Sequence, residues 1–161
     1  MLFYGKRKSY FPFHCMVGPD WIFVAFVFAS IIVINIVILY VISPIGWIPV
    51  VIGLVGAICL LVTYAQTVFS DPGIIYKNDF TPQVPPTGYT PPDQTSDIEK
   101  CGQCDLRRPY TARHCEYCKV CIDNLDHHCP WSGKCIGEKN IKSFYAFTSL
   151  LCCQTYYLLA V

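Results

Sequence analysis

Charge is what this 161-residue chain has least of. Asp, Glu, Lys and Arg make up 14% of it, about half the share of an ordinary globular domain. The scarcity does not mean disorder, because disordered chains are charge-rich and poor in aromatics, and aromatic residues are 15% here. Twelve basic residues nearly cancel eleven acidic ones, which excludes a polyanion binder driven by bulk charge and leaves no nucleic acid among the expected partners. The deepest gap runs from Asp20 to Asp71, where no Asp, Glu, Lys or Arg occurs.

That gap has room for two bilayer spans of about 20 residues each. Trp21 to Ile42 reads as the first, with Ser30 and Asn35 as its polar side chains. Ser43-Pro44-Ile45-Gly46 reads as a turn, since Pro ends a helix and Gly permits reversal. Trp47 to Phe69 reads as the second span. Trp21 and Trp47 fall at span ends, where indoles favour the membrane interface. A buried helical hairpin of a soluble protein is excluded because too little chain remains to cover it. A secretory signal is excluded because its apolar region is only about 7–15 residues.

Lys6, Arg7 and Lys8 precede the first span, and the 43–46 turn is uncharged. The positive-inside rule therefore puts residues 1–20 in the cytosol, and two spans return the chain there at Ser70. All twelve basic residues then lie on one side. A third apolar run, Phe144 to Val161, follows Lys139 and Lys142; residues 143–161 read as a third membrane helix that the chain carries only in part. Gly53, Gly56 and Ala57 put small residues on one face of the second span, which permits close helix approach, or reflect ordinary glycine use in such helices. Asn35 either bonds to a neighbouring helix or is tolerated where it stands.

Residues 70–100 read as a cytosolic linker, with prolines at 82, 85, 86, 91 and 92. Seven of the eleven cysteines then fall between Cys101 and Cys135, together with His114, His127 and His128. Cytosolic thiols stay reduced, so the cluster points to metal rather than disulfides. Cys101, Cys104, His114 and Cys121 form C-x2-C-x9-H-x6-C; Cys115, Cys118, His128 and Cys135 repeat it 14 residues later. Each set offers three thiolates and one imidazole, a closed tetrahedral shell suited to structural Zn²⁺. A third copy begun at Cys118 would need His at Trp131 and Cys at Glu138, so the pattern is expected to stop at two. The ten candidate ligands minus these eight leave His127 and Cys129, with Asp126 adjacent. That trio has the composition of an activated thiol nucleophile: imidazole as base, carboxylate to orient it. A leftover Cys-His pair packed beside metal sites has the same composition.

Asp126-His127-His128-Cys129 within this framework resembles the Asp-His-His-Cys (DHHC) protein S-acyltransferases, the palmitoyltransferases. The likeness extends through Arg108-Pro109, His114-Cys115, Cys118, Cys121, Pro130-Trp131, Cys135-Ile136-Gly137, Asn140 and Phe144. Asp71-Pro72-Gly73 is similar to the family's Asp-Pro-Gly motif, and Gly18-Pro19-Asp20 to the entry of some members' first span. The resemblance implies an α-helical integral membrane protein: transmembrane helices plus a small cytosolic cysteine-rich domain, residues 101–142, holding two structural Zn²⁺. It implies that Cys129 takes a long-chain acyl group from palmitoyl-CoA as a thioester and passes it to cysteines of membrane-associated proteins. His127 would be the base, and Asp126 would orient it. The expected setting is an endomembrane (Golgi or ER) or the plasma membrane, with the active site facing the cytosol. Lys134, Lys139 and Lys142 either meet CoA phosphates or are plain positive-inside charge.

The chain departs from the family in three places. Thr111 stands where members usually carry Arg. Ser132-Gly133-Lys134 replaces the more usual Val-Gly-Asn. The fourth span and the Thr-Thr-x-Glu motif are not in the chain, which reads as cut short. The alternative function is a silent, membrane-anchored zinc module that binds proteins; the spacing excludes a RING-type ligase. Cys59, Cys152 and Cys153 have no ligand spacing and read as small apolar residues, and Cys15 as a lipidation candidate.

Overall fold

A computed structural model describes residues 18–76 and 98–160. Lys6, Arg7, Lys8, Cys15 and the proline-rich stretch 78–97 lie outside the described residues. Among the described residues, three α-helices carry a string of three short β-hairpins.

Helix α1 spans Trp21–Ile42 and α2 spans Trp47–Phe69. Pro49 falls in the first turn of α2, where no intrahelical N–H is needed. The polar side chains of α1 donate within it: the Ser30 hydroxyl to Phe26 O (2.8 Å) and the Asn35 amide N–H to Ile31 O (2.8 Å). With mean hydropathies of 3.1 and 2.4, both helices are long and apolar enough to cross a membrane. Helix α3, Ile141–Ala160, is of similar length but carries Lys142, Ser143, Thr148, Gln154, Thr155 and three tyrosines; among the described residues it is not one of the helices apolar enough for that test.

Two of its polar residues, Gln154 and Tyr157, face its neighbours. Gln154 donates to Asn35 Oδ1 and to Gly53 O, both at 3.4 Å, and the Tyr157 hydroxyl donates to Pro49 O at 2.7 Å. Of the two readings of Asn35, the interhelical bond is the one realised. Gly56 lies flat against Gln154, where a Cβ would collide with the amide oxygen. The small face of α2 thus admits α3, as small residues do between apolar helices. Towards the hairpins, Val24, Ile31, Leu60, Tyr64 and Val68 form the buried core, with Phe28, Phe69 and Phe147 packed on it.

The hairpins are antiparallel: β1 (Ile98–Cys101) with β2 (Leu106–Pro109), β3 (Arg113–Cys115) with β4 (Val120–Ile122), and β5 (His127–Cys129) with β6 (Lys134–Ile136). They are one unit repeated at 14 residues. The closing pairs Cys101↔Leu106, Cys115↔Val120 and Cys129↔Lys134 share one register. The turn residue of left-handed backbone recurs at the same interval: Asp105 (φ 48°), Lys119 (φ 57°) and Gly133 (φ 74°).

The chain leaving α2 does not enter a linker at once. Ile74 bridges to Ile122, Ile75 N–H donates to Cys121 O (2.9 Å) and Asp123 N–H donates to Gly73 O (2.9 Å). Asp71 starts this segment, accepting from Gly73 N–H (2.9 Å) and Ile74 N–H (3.0 Å) and pairing with Lys139 (3.1 Å). Burial raises its pKa, but the two backbone donors and Lys139 outweigh that and hold it below the usual carboxylate value.

Candidate metal centres and an unliganded thiol

The hairpins supply two kinds of metal donor. The turns of the first and second present C-x2-C, and the strands of the second and third present a His and a Cys directly opposed. His114 faces Cys121 and His128 faces Cys135 across their ladders. Successive hairpins interlock: the Cys101/Cys104 turn of the first meets the His114/Cys121 pair of the second, and the Cys115/Cys118 turn of the second meets the His128/Cys135 pair of the third. This linkage is why the two sequence patterns interleave.

Within each set the donor atoms all lie within 4.8 Å of one another. His114 Nδ1 is 3.7, 3.1 and 3.9 Å from the sulfurs of Cys101, Cys104 and Cys121. His128 Nδ1 is 3.7, 3.4 and 3.6 Å from those of Cys115, Cys118 and Cys135, and Cys118 and Cys135 are 3.5 Å apart. A tetrahedral ion with bonds of about 2.3 Å to sulfur and 2.0 Å to nitrogen requires S···N separations of about 3.6 Å. Both sets are suited to metal binding.

The thiols show the same electrostatic strain. The hydrogen bond from Cys135 pulls Cys118 down to about 6, against burial and with help from His128. The same bond, with burial, pushes Cys135 far up. In the first set burial raises Cys101, but donors including Cys104 N–H and the Cys121 thiol bring it below its ordinary value; Cys104 and Cys121 are raised, chiefly by burial. Packed thiolates repel, and a divalent cation would let all three ionise together.

The third turn, Cys129-Pro130-Trp131-Ser132-Gly133, is built like the other two but offers no dithiol. Cys129 stands where Cys101 and Cys115 stand, and Ser132 where Cys104 and Cys118 stand. The Ser132 hydroxyl reaches Cys129 O (3.1 Å) and Lys134 O (3.2 Å), so it closes the turn by hydrogen bonding. Among the described residues there are two such donor sets, whereas the hairpin itself continues to a third. Extending the interval from Cys115 to Cys129 was the available signal, and Ser132 hid it.

Strand alternation separates the two histidines. His128 enters the metal set, which sends its neighbours His127 and Cys129 to the opposite face together. His127 Nδ1 lies 2.6 Å from Asp126 Oδ2, and its ring meets Phe144 of α3 edge-on at 5.3 Å. His127 and Asp126 are partly exposed, whereas Cys129 is buried.

Helices α1 and α2 hold this turn. Tyr64 of α2, 1% exposed, donates its hydroxyl to Trp131 O at 2.7 Å while packing on Phe28 and Phe147. Phe23 of α1 meets Trp131 edge-on at 5.5 Å, and Gly133 presses on Val24. Lys134 is buried and donates to Ser70 O at the end of α2, where a cation also suits the helix dipole. Lys139 pairs with Asp71. Of the three lysines considered for CoA, two therefore bind the protein's own groups. Thr111, in place of the usual Arg, donates to Asp123 Oδ1 at 2.8 Å.

Two interlocked three-thiol, one-imidazole sets, with Cys129 two residues after the bonded His127 of the Asp126–His127 pair and apolar helices alongside, define a narrow class. Residues 94–161 match the family model described as DHHC palmitoyltransferase. Among curated proteins the chain is 38% identical over 92 residues to palmitoyltransferase ZDHHC7 of Mus musculus, covering 57% of this chain and 29% of that protein. It is 36% identical over 115 residues to palmitoyltransferase ZDHHC18-A of Danio rerio (60% and 25%), and 31% over 156 residues to a ZDHHC-type protein of Dictyostelium discoideum (89% and 36%). Residues 94–161 are thus similar to the DHHC palmitoyltransferase domain. It spans about a quarter to a third of the length of the curated relatives it matches.

Proposed function

We propose that the protein is a multi-pass membrane S-acyltransferase that moves a long-chain acyl group from acyl-CoA to cysteines of membrane-associated proteins through a thioester on Cys129. The observation that carries this reading is the third turn, where Ser132 replaces the second cysteine. It keeps the backbone of a metal-binding hairpin yet leaves Cys129 without metal partners and on the face of His127.

Two Zn²⁺ ions would be held by Cys101, Cys104, His114 and Cys121 and by Cys115, Cys118, His128 and Cys135. Their chemistry there is structural, since all four donors are protein groups. His127, oriented by Asp126, takes the Cys129 proton. The thiolate attacks the carbonyl carbon of the acyl thioester, the bond to the CoA sulfur breaks, and the proton on His127 passes to the departing CoA thiolate. In the second step His127 takes the proton of a substrate cysteine. That thiolate attacks the Cys129 thioester, and Cys129 leaves and recovers the proton. Thioester exchanges for thioester in each step, so no energy source is needed.

A cavity of about 270 Å³ between α1 and α3 supports the acyl part of the reading, with Phe26, Val27, Ile31, Leu60, Phe147 and Leu151 in its wall. Phe147 packs on Tyr64, which bonds Trp131 beside the nucleophile. Each buried methylene contributes about 0.8 kcal/mol, which favours long chains. Helices α1 and α2 would cross the bilayer as 21–42 and 47–69, with α3 as a third crossing and the hairpins on the cytosolic side. The silent zinc module is disfavoured by the intact Asp126, His127 and Cys129.

The test is acyl loading of the purified protein from labelled palmitoyl-CoA. Wild type should form a hydroxylamine-sensitive adduct, and Cys129→Ser should form none. Equal labelling of the two would move the nucleophile elsewhere.

A further inference from the structure

Asp20 is the residue before α1, a position where an aspartate ordinarily accepts a hydrogen bond from the first turn of its helix. Its carboxylate does not do so. The helix starts with Asp20 O accepting from Phe23 N–H at 3.1 Å, and the side chain turns away. Asp20 Oδ2 lies 2.8 Å from His128 Nε2, across 108 positions of sequence.

His128 presents Nδ1 to the thiols of the second set, so Nε2 carries the hydrogen and donates it to Asp20. The imidazole is nearly covered and the carboxylate about one-third exposed. The backbone closes around this contact: Asp20 N–H reaches Gly133 O (3.4 Å), and Gly18 lies against Gly133, where a Cβ would collide with the carbonyl. The first set differs. Among the described residues, His114 Nε2 is buried with no hydrogen-bond partner.

We propose that Asp20 is the outer carboxylate of the second metal set, and that through His128 it couples metal occupancy there to the seating of α1 beside the Cys129 turn. The inference rests on the two-zinc reading above. A carboxylate accepting from the free nitrogen fixes the ring's tautomer and rotation and strengthens the other nitrogen as a ligand. The same bond holds the start of α1, whose Phe23 and Val24 contact Trp131 and Gly133. Among the described residues the two imidazoles are therefore unequal: His128 is bonded through Nε2 to the start of a helix, and His114 is not.

The experiment is zinc release from the whole purified protein, titrated with a chromophoric chelator and repeated with ¹¹³Cd in place of zinc. Wild type should yield two metal equivalents and two cadmium resonances. Asp20→Ala should release one equivalent at a chelator activity about 10–100-fold lower, the usual effect of losing such a partner, and should move one resonance only. Asp20→Asn keeps an acceptor of the same shape without its charge and should fall between the two. It also guards against a folding failure in the alanine variant. Release of both equivalents shifted equally, or of neither, would overturn the inference. A wild type without metal on the second set would defeat the zinc reading itself, and this inference with it.

Discussion

A single methyl at Gly133 should disturb the turn that carries Cys129 in a way that can be dissected. It adopts φ 74°, and a Cβ there would sit 2.6 Å from Val24 Cγ2 and 3.6 Å from the Asp20 backbone. Left-handed backbone alone does not demand glycine, because Asp105 and Lys119 adopt it in the sister turns. What separates the third turn is α1 lying against it. Gly133→Ala should therefore cost about 1–2 kcal/mol for the left-handed backbone and a further 1–3 kcal/mol or so for the overlap with Val24. The parts separate in a double-mutant cycle with Val24→Ala, which removes the overlapping methyl and leaves the backbone term. The coupling between the two changes should be about 1–3 kcal/mol, with the double variant more stable than the sum of the singles predicts. Guanidinium unfolding in detergent, followed by zinc release, measures all four corners. Additivity within about 0.5 kcal/mol would refute the claim that α1 packs beneath the Cys129 turn.

Three other expectations follow from the same contacts. His127→Ala should load acyl groups about 10²–10⁴-fold more slowly with both metals retained; single-turnover loading and metal analysis on one sample decide it. Ser132→Cys restores a C-x2-C turn around the nucleophile, so loading should become sensitive to added Zn²⁺, which Ser132→Ala should not show. Asp71, held below its ordinary pKa, contributes stability that is fully present above the unfolded value of about 4 and is lost as pH falls through its lower folded value. The difference in thermal midpoint between wild type and Asp71→Asn should thus be flat near neutrality and shrink only in acid.

The parts legible in the sequence are those with a local period. The charge-free run shows as two long apolar helices, and the two metal sets show as one spacing used twice. Contacts between distant segments left no such trace. Nothing near Asp20 announces His128, and nothing near Ser70 announces that Lys134 turns inward to it. Helix α3 was legible as apolar but not as the helix whose Gln154 and Tyr157 bond to its neighbours. The third hairpin lay between these cases. Its 14-residue interval was in plain sight at Cys129, but Ser132 removed the dithiol that reveals the other two. That replacement leaves Cys129 outside a C-x2-C pair, and the proposed acyl transfer rests on it.

The most direct test of that idea is to count metal and acyl group on the same molecule. Native mass spectrometry of the protein after brief exposure to palmitoyl-CoA should show one acyl group together with two zinc ions, and Cys129→Ser should keep two zincs and carry no acyl group. Loss of a zinc on acylation, or from Cys129→Ser, would put Cys129 among the metal ligands and contradict the account.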